Sequence, residues 1–147
     1  MKTRLLEIAR TLDGLAEEYR PPLEVLGEGV NCIQLSANFN LREFICTHCG
    51  VAKVDPELIR RLQIARDRIG RPIVVTSGYR CPTHNRAVGG AANSQHLYGT
   101  AADVMATRIT IQELYDVLES LFPDGGVGIY QGHVHVDVRG IKARWTG

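Results

Sequence analysis

The sequence has no apolar run approaching the roughly 20 residues that a membrane-spanning helix needs, so it offers no candidate span. It has no basic cluster either. Arginine greatly outnumbers lysine, but the arginines are scattered and the net charge is only +1. Electrostatics therefore give no reason to expect nucleic acid or an anionic membrane as partner. Cysteine is sparse: Cys32, Cys46, Cys49 and Cys81 are too few to define a disulfide scaffold, and their even number alone indicates no redox compartment. Residues 1–20 mix charges into their apolar positions and lack the continuous apolar core of a signal peptide. On that ground the chain reads as cytoplasmic or as a mature fragment.

What is present suits one domain. Typical domains run to about 100–150 residues, and the chain has 147. At this size about 68–70% of the unfolded surface is buried on folding, enough without a covalent staple. No repeat, linker or low-complexity segment divides the chain, so a single domain over residues 1–147 is expected.

Hydrophobic periodicity assigns the elements. Leu5, Ile8, Leu12, Leu15 and Ala16 recur at helical steps and predict an amphipathic helix over 2–19, ended by Pro21-Pro22. From there to Lys53 the pattern is irregular, with turns and short extended pieces expected. Asp55 is a good N-cap with Pro56 at the first helical position, Leu58, Leu62, Ala65 and Ile69 share one face, and Gly70 closes the helix. Ile73 to Thr76 is β-branched and reads as a buried strand. Ser77 to Thr100 has no regular pattern, and a stretch of that length in a compact domain is usually functional. Ala101 to Met105 resumes as a strand, and Thr110 with Glu113 forms a capping box for a helix through Leu121. Val127 to Tyr130 and His133 to Val138 complete an α+β pattern.

Two segments carry ligand-type side chains. Ser94-Gln95-His96-Leu97-Tyr98-Gly99-Thr100-Ala101-Ala102-Asp103 places a histidine in a loop and an aspartate on the following strand. In His133-Val134-His135-Val136-Asp137, strand alternation puts the three polar residues on one face and the valines on the other. Two imidazoles and a carboxylate suit a catalytic zinc, which typically takes three protein ligands and keeps one position open. Cys46-Thr47-His48-Cys49 looks like half a zinc knuckle. No second Cys-x-x-Cys exists, so a four-cysteine site would need Cys32 and Cys81 at odd spacing. A disulfide or free buried thiols are the expectation there.

The string Ser94-x-His96-x-x-Gly99-x-Ala101-x-Asp103, followed by His135, resembles the zinc D-alanyl-D-alanine carboxypeptidase and dipeptidase family. Relatives include the L-alanyl-D-glutamate endopeptidases and the hedgehog signalling domain. Ser77-Gly78-Tyr79-Arg80 looks like the same family's Ser-Gly-Tyr-Arg segment. Gly-Val-Gly-Ile-Tyr and His-Val-Asp-Val-Arg are similar to small peptidase domains of phage and prophage proteins. The likeness runs from about Phe39 to Trp145, leaving the N-terminal helix outside it.

The resemblance implies a small antiparallel sheet that carries one Zn2+ per chain and packs against helices. It implies His96, Asp103 and His135 as metal ligands, Arg80 polarising the scissile carbonyl, and Ser94 touching substrate. Tyr98 and His84 are expected at the pocket wall. The implied substrate is a cell-wall stem peptide cut by carboxypeptidase or endopeptidase action, by a monomer, with phage-type release supplying access to the wall. The sequence departs from the family at Gly132, where many members carry an acidic general base. His133 is the expected substitute, because it shares a strand face with His135 and imidazole can accept a proton near neutral pH. Asp137 is expected to orient an imidazole. The same resemblance, with its missing carboxylate, leaves a non-catalytic zinc module as the alternative.

Overall fold

The structure is a computed structural model that describes residues 23–26 by their backbone and residues 33–147 in full. The helix expected over 2–19 lies outside the described residues. Two β-strands, β1 (Leu23–Leu26) and β2 (Val51–Val54), pair antiparallel as a small separate sheet. Between them Leu41–Phe44 forms a 3-10 turn, capped by Asn40 in a box with Glu43. Helix α1 (Pro56–Ile69) starts at Asp55, whose side chain accepts from the Glu57 N–H, and ends at Gly70.

The main sheet has five strands: β3 (Ile73–Ser77), β4 (Ala101–Ala106), β5 (Gly126–Ile129), β6 (Val134–Asp137) and β7 (Ala143–Thr146). Their order is β3-β4-β6-β5-β7. All neighbours run antiparallel except β5 and β7, which are parallel. Helix α3 (Ile111–Leu121) follows β4 and begins with the Thr110–Glu113 capping box. The protein is thus α+β, with a small sheet on which helices pack.

Three features depart from the sequence expectation. Residues 77–100 are not structureless: they hold a short helix α2 (Pro82–Ala87) and a 3-10 turn (Gln95–Tyr98). Strand β7 was not foreseen, because Ala143-Arg144-Trp145-Thr146 lacks clean alternation of apolar and polar residues. His133 lies just before β6 rather than inside it.

The core lies between one face of the sheet and the helices. Val104, Val127, Val134 and Val136 meet Leu58, Leu62, Leu114, Leu118 and Phe122, all fully buried. Burying each such leucine or phenylalanine contributes about 1.5–3 kcal/mol. Alternation then forces the neighbours of these valines, Asp103, His135 and Asp137, onto the opposite face. The apolar side of β4 and β6 holds the fold while the polar side builds the site.

Candidate metal centre

The sheet register assembles the centre. Ser77 pairs with Asp103, Asp103 with His135, His135 with Gly128, and Gly128 with Trp145. One lateral row across all five strands therefore carries the carboxylate, an imidazole and the indole. His96 joins from the loop side. Its 3-10 turn is capped by Ser94, whose Oγ accepts from the His96 N–H at 3.4 Å.

The donor atoms of His96, Asp103 and His135 lie within 4.8 Å of one another, and all three residues are buried. His96 Nε2 is 3.2 Å from Asp103 Oδ1 and 3.2 Å from His135 Nδ1, and His135 Nδ1 is 2.9 Å from the same Oδ1. Each imidazole is held by its outer nitrogen. His96 Nδ1 is 2.7 Å from the Gly78 carbonyl, and His135 Nε2 is 2.9 Å from Asp137 Oδ2. A carbonyl only accepts, so His96 carries its proton on Nδ1 and turns the Nε2 lone pair inward. His135 has a carboxylate oxygen 2.9 Å from each nitrogen, Asp137 Oδ2 outside and Asp103 Oδ1 inside, so its inner nitrogen either carries a proton or faces a cation.

The charges agree. Burial would raise the Asp103 carboxyl pKa, but His135 and His96 overcome it and hold the group well below the usual carboxylate range. For His135 burial acts downward, and the adjoining Asp103 and Asp137 reverse it, raising the imidazole above its ordinary value. Burial opposes ionisation of Asp137 as well. Arg139, His135 and the Gly126 N–H outweigh it, and the group stays well below the ordinary range. Asp137 is fully buried, with Arg139 Nε at 2.8 Å and the Gly126 N–H at 3.0 Å on its Oδ1.

Close approaches make room for this arrangement. A Cβ on Gly128 would collide with the indole of Trp145, which lies over the strand 5.2 Å from the His135 ring. A Cβ on Gly78 would strike the Phe44 backbone, so only glycine lets this carbonyl reach His96.

Of the other expected site residues, Arg80 reaches the centre. Its Nη2 donates to Asp103 Oδ2 at 2.8 Å, and its Nε donates to Ser77 Oγ at 3.0 Å. His133 sits at the rim, 32% exposed, with Nε2 3.9 Å from Asp103 Oδ1 and its ring stacked on Tyr130 at 4.5 Å. Tyr98 lies on the His96 turn and is exposed. His84 does not line this centre; its Nδ1 is 3.4 Å from Cys46 Sγ. Sequence reasoning missed Trp145, Tyr130 and the Gly78 carbonyl. Only the Gly-Val-Gly spacing of β5, which spares room for a large ring, hinted at the first.

The motif and the geometry point to one class of protein. A family model described as Peptidase M15 matches residues 37–137, and the chain belongs to that family. Over 47 residues it is 51% identical to the zinc D-Ala-D-Ala carboxypeptidase of Streptomyces albus G. That stretch covers 31% of this chain and 18% of the relative, so the chain spans a small part of the relative's length.

Proposed function

We propose that the protein is a zinc metallopeptidase that hydrolyses peptide bonds in bacterial cell-wall stem peptides, acting as a monomer through a single domain over residues 1–147. The observation that supports this best is the locked pair of imidazoles, each with its outer nitrogen on an acceptor and its inner nitrogen aimed at Asp103. Carboxylate–imidazole–zinc arrangements of this kind raise ligand basicity and fix the ring. The donor set fits zinc, and His96, Asp103 and His135 would hold it. Bound there, zinc supplies a Lewis acid for the scissile carbonyl and makes a water more acidic.

The chain's own residues provide the remainder. His133 takes the proton of the attacking water and returns it to the leaving amine. Arg80, with Nε on Ser77 and Nη2 on Asp103, presents its remaining edge to the carbonyl oxygen, where negative charge develops. Ser94 and Tyr98 flank the His96 turn and contact the peptide. The cut falls at a terminal D-alanine or within the stem, and the similarity to a D-Ala-D-Ala carboxypeptidase favours the first.

The absence of a carboxylate at Gly132 favours a second reading, a zinc module that binds without turnover. Zinc analysis of the wild type, His96→Ala and His135→Ala, together with muropeptide digestion read by mass, tests both. The peptidase reading expects both variants to lose the metal of this centre and the products. Full occupancy of the centre in both variants overturns the ligand set, and wild-type inactivity on every stem peptide leaves the binding module.

A further inference from the structure

A second cluster of metal-ligating side chains lies away from this centre. The Sγ atoms of Cys46, Cys49 and Cys81 fall within 4.8 Å of one another, with Cys46 and Cys81 buried and Cys49 exposed. Two histidines join them: His84 Nδ1 is 3.4 Å from Cys46 Sγ, and His48 Nδ1 is 3.3 Å from Cys81 Sγ. We propose that Cys46, Cys49, Cys81 and His84 form a second, structural zinc site.

The distances are compatible with a metal. With Zn–S near 2.3 Å and Zn–N near 2.0–2.1 Å, the sulfur–nitrogen edge of a tetrahedron is about 3.5 Å. The Cys46–His84 separation matches that edge. A disulfide would join two of these sulfurs at about 2.05 Å and strand the third thiol beside two imidazoles. The spacing agrees too, since Cys46-x-x-Cys49 and Cys81-x-x-His84 are two chelating pairs of structural-zinc type. The sequence hid this by pairing a Cys-x-x-Cys with a Cys-x-x-His, not with its own copy.

Backbone donors suit sulfur in its thiolate form. The Cys81 N–H donates to Cys46 Sγ at 3.4 Å, and the His84 N–H donates to Cys81 Sγ at 3.4 Å. His84 is the fourth ligand because α2 sets it in register with Cys81 and it is half-buried, whereas His48 is exposed on the turn. Structural zinc takes four ligands, and His48 is left on the open side.

The site has a structural consequence. It fastens the turn at 46–49 to the start of α2, directly after Arg80. The neighbouring contact is a backbone bond from the Tyr79 N–H to the Phe44 carbonyl at 3.0 Å. The metal thereby anchors the segment that aims Arg80 at Asp103. Binding displaces the thiol protons of the three cysteines to solvent, so no oxidant or reductant is needed.

Cobalt and zinc titrations of the reduced full chain test this. Cobalt-loaded wild type should show thiolate-to-cobalt charge-transfer absorption, which the nitrogen–oxygen donors of the first centre cannot give. His135→Ala should keep that absorption and one equivalent of zinc. Cys49→Ser, at an exposed position that leaves the core intact, should lose the absorption and the second equivalent while the first centre stays filled. Wild type without the absorption, or with the same zinc content as Cys49→Ser, overturns the site. His84→Ala should weaken the second metal and His48→Ala or Cys32→Ser should not; the reverse overturns the choice of fourth ligand.

Discussion

Arg80 and Asp103 are joined at 2.8 Å, and the carboxylate they share with the centre has its two oxygens divided. Oδ2 takes the guanidinium, while Oδ1 faces both His96 and His135. The arginine therefore fixes the orientation of the Asp103 carboxylate, and on the proposed reading it also stands beside the reacting carbonyl. Lysine could supply the charge but not the two-point hold on Ser77 and Asp103.

Arg80→Ala should lower hydrolysis by roughly 10²–10³-fold, the scale for loss of one oxyanion donor. Zinc affinity should fall by no more than about 10–100-fold, as for other groups that orient a ligand. Single-turnover rates and chelator competition separate the two effects. A loss of zinc as large as the loss of rate would make the residue purely structural. Arg80→Lys should recover only part of the rate.

Asp137→Asn keeps the shape of the side chain but removes the charge behind His135 and in front of Arg139. Zinc affinity should drop by about 10–100-fold. The same variant should unfold at lower temperature, because Arg139 loses its buried partner. Chelator competition and a thermal melt report the two, and unchanged values in both would deny Asp137 its orienting role.

His133→Ala should keep the zinc of the centre and lose about 10²–10⁴ in rate, the span for general acid–base catalysis. Gly132 faces open space, so Gly132→Asp fits without a clash and should raise turnover if the wild type lacks a strong base. If His133 were a ligand instead, His133→Ala would bind zinc more weakly and the wild type would be nearly inactive.

Metal-free protein should show a pH dependence that zinc abolishes. The folded-state pKa of His135 lies above its ordinary 6.5, raised by Asp103 and Asp137 against the effect of burial. Its protonated form therefore contributes stability that is fully present below that value. This stability is lost as pH rises through the raised folded pKa. Melting temperature of the apoprotein should fall across that window. Zinc-loaded protein should not follow it, because the metal takes the place of the proton. Parallel curves for the two forms would separate His135 from the metal.

The sequence by itself determined the elements whose signals are local. The caps at Asp55 and Thr110, the apolar faces of α1 and α3, and the alternation of β6 are written in neighbouring residues. His96, Asp103 and His135 were legible as candidates because ligand-type residues at motif spacing stand out against an apolar strand. Only the tertiary structure decided which atoms meet. The row from Ser77 to Trp145 depends on strand pairing between segments far apart in sequence. The division of Asp103 between Arg80 and two histidines depends on that register and on glycines that let backbones approach. The grouping of Cys46, Cys49 and Cys81 with His84 has the same origin: a turn and a helix start, 35 residues apart from Cys46 to Cys81, become neighbours only when the Tyr79 segment binds the Phe44 carbonyl. Local rules govern dihedral angles and faces, whereas these contacts come from packing over distance, which no short stretch of sequence encodes.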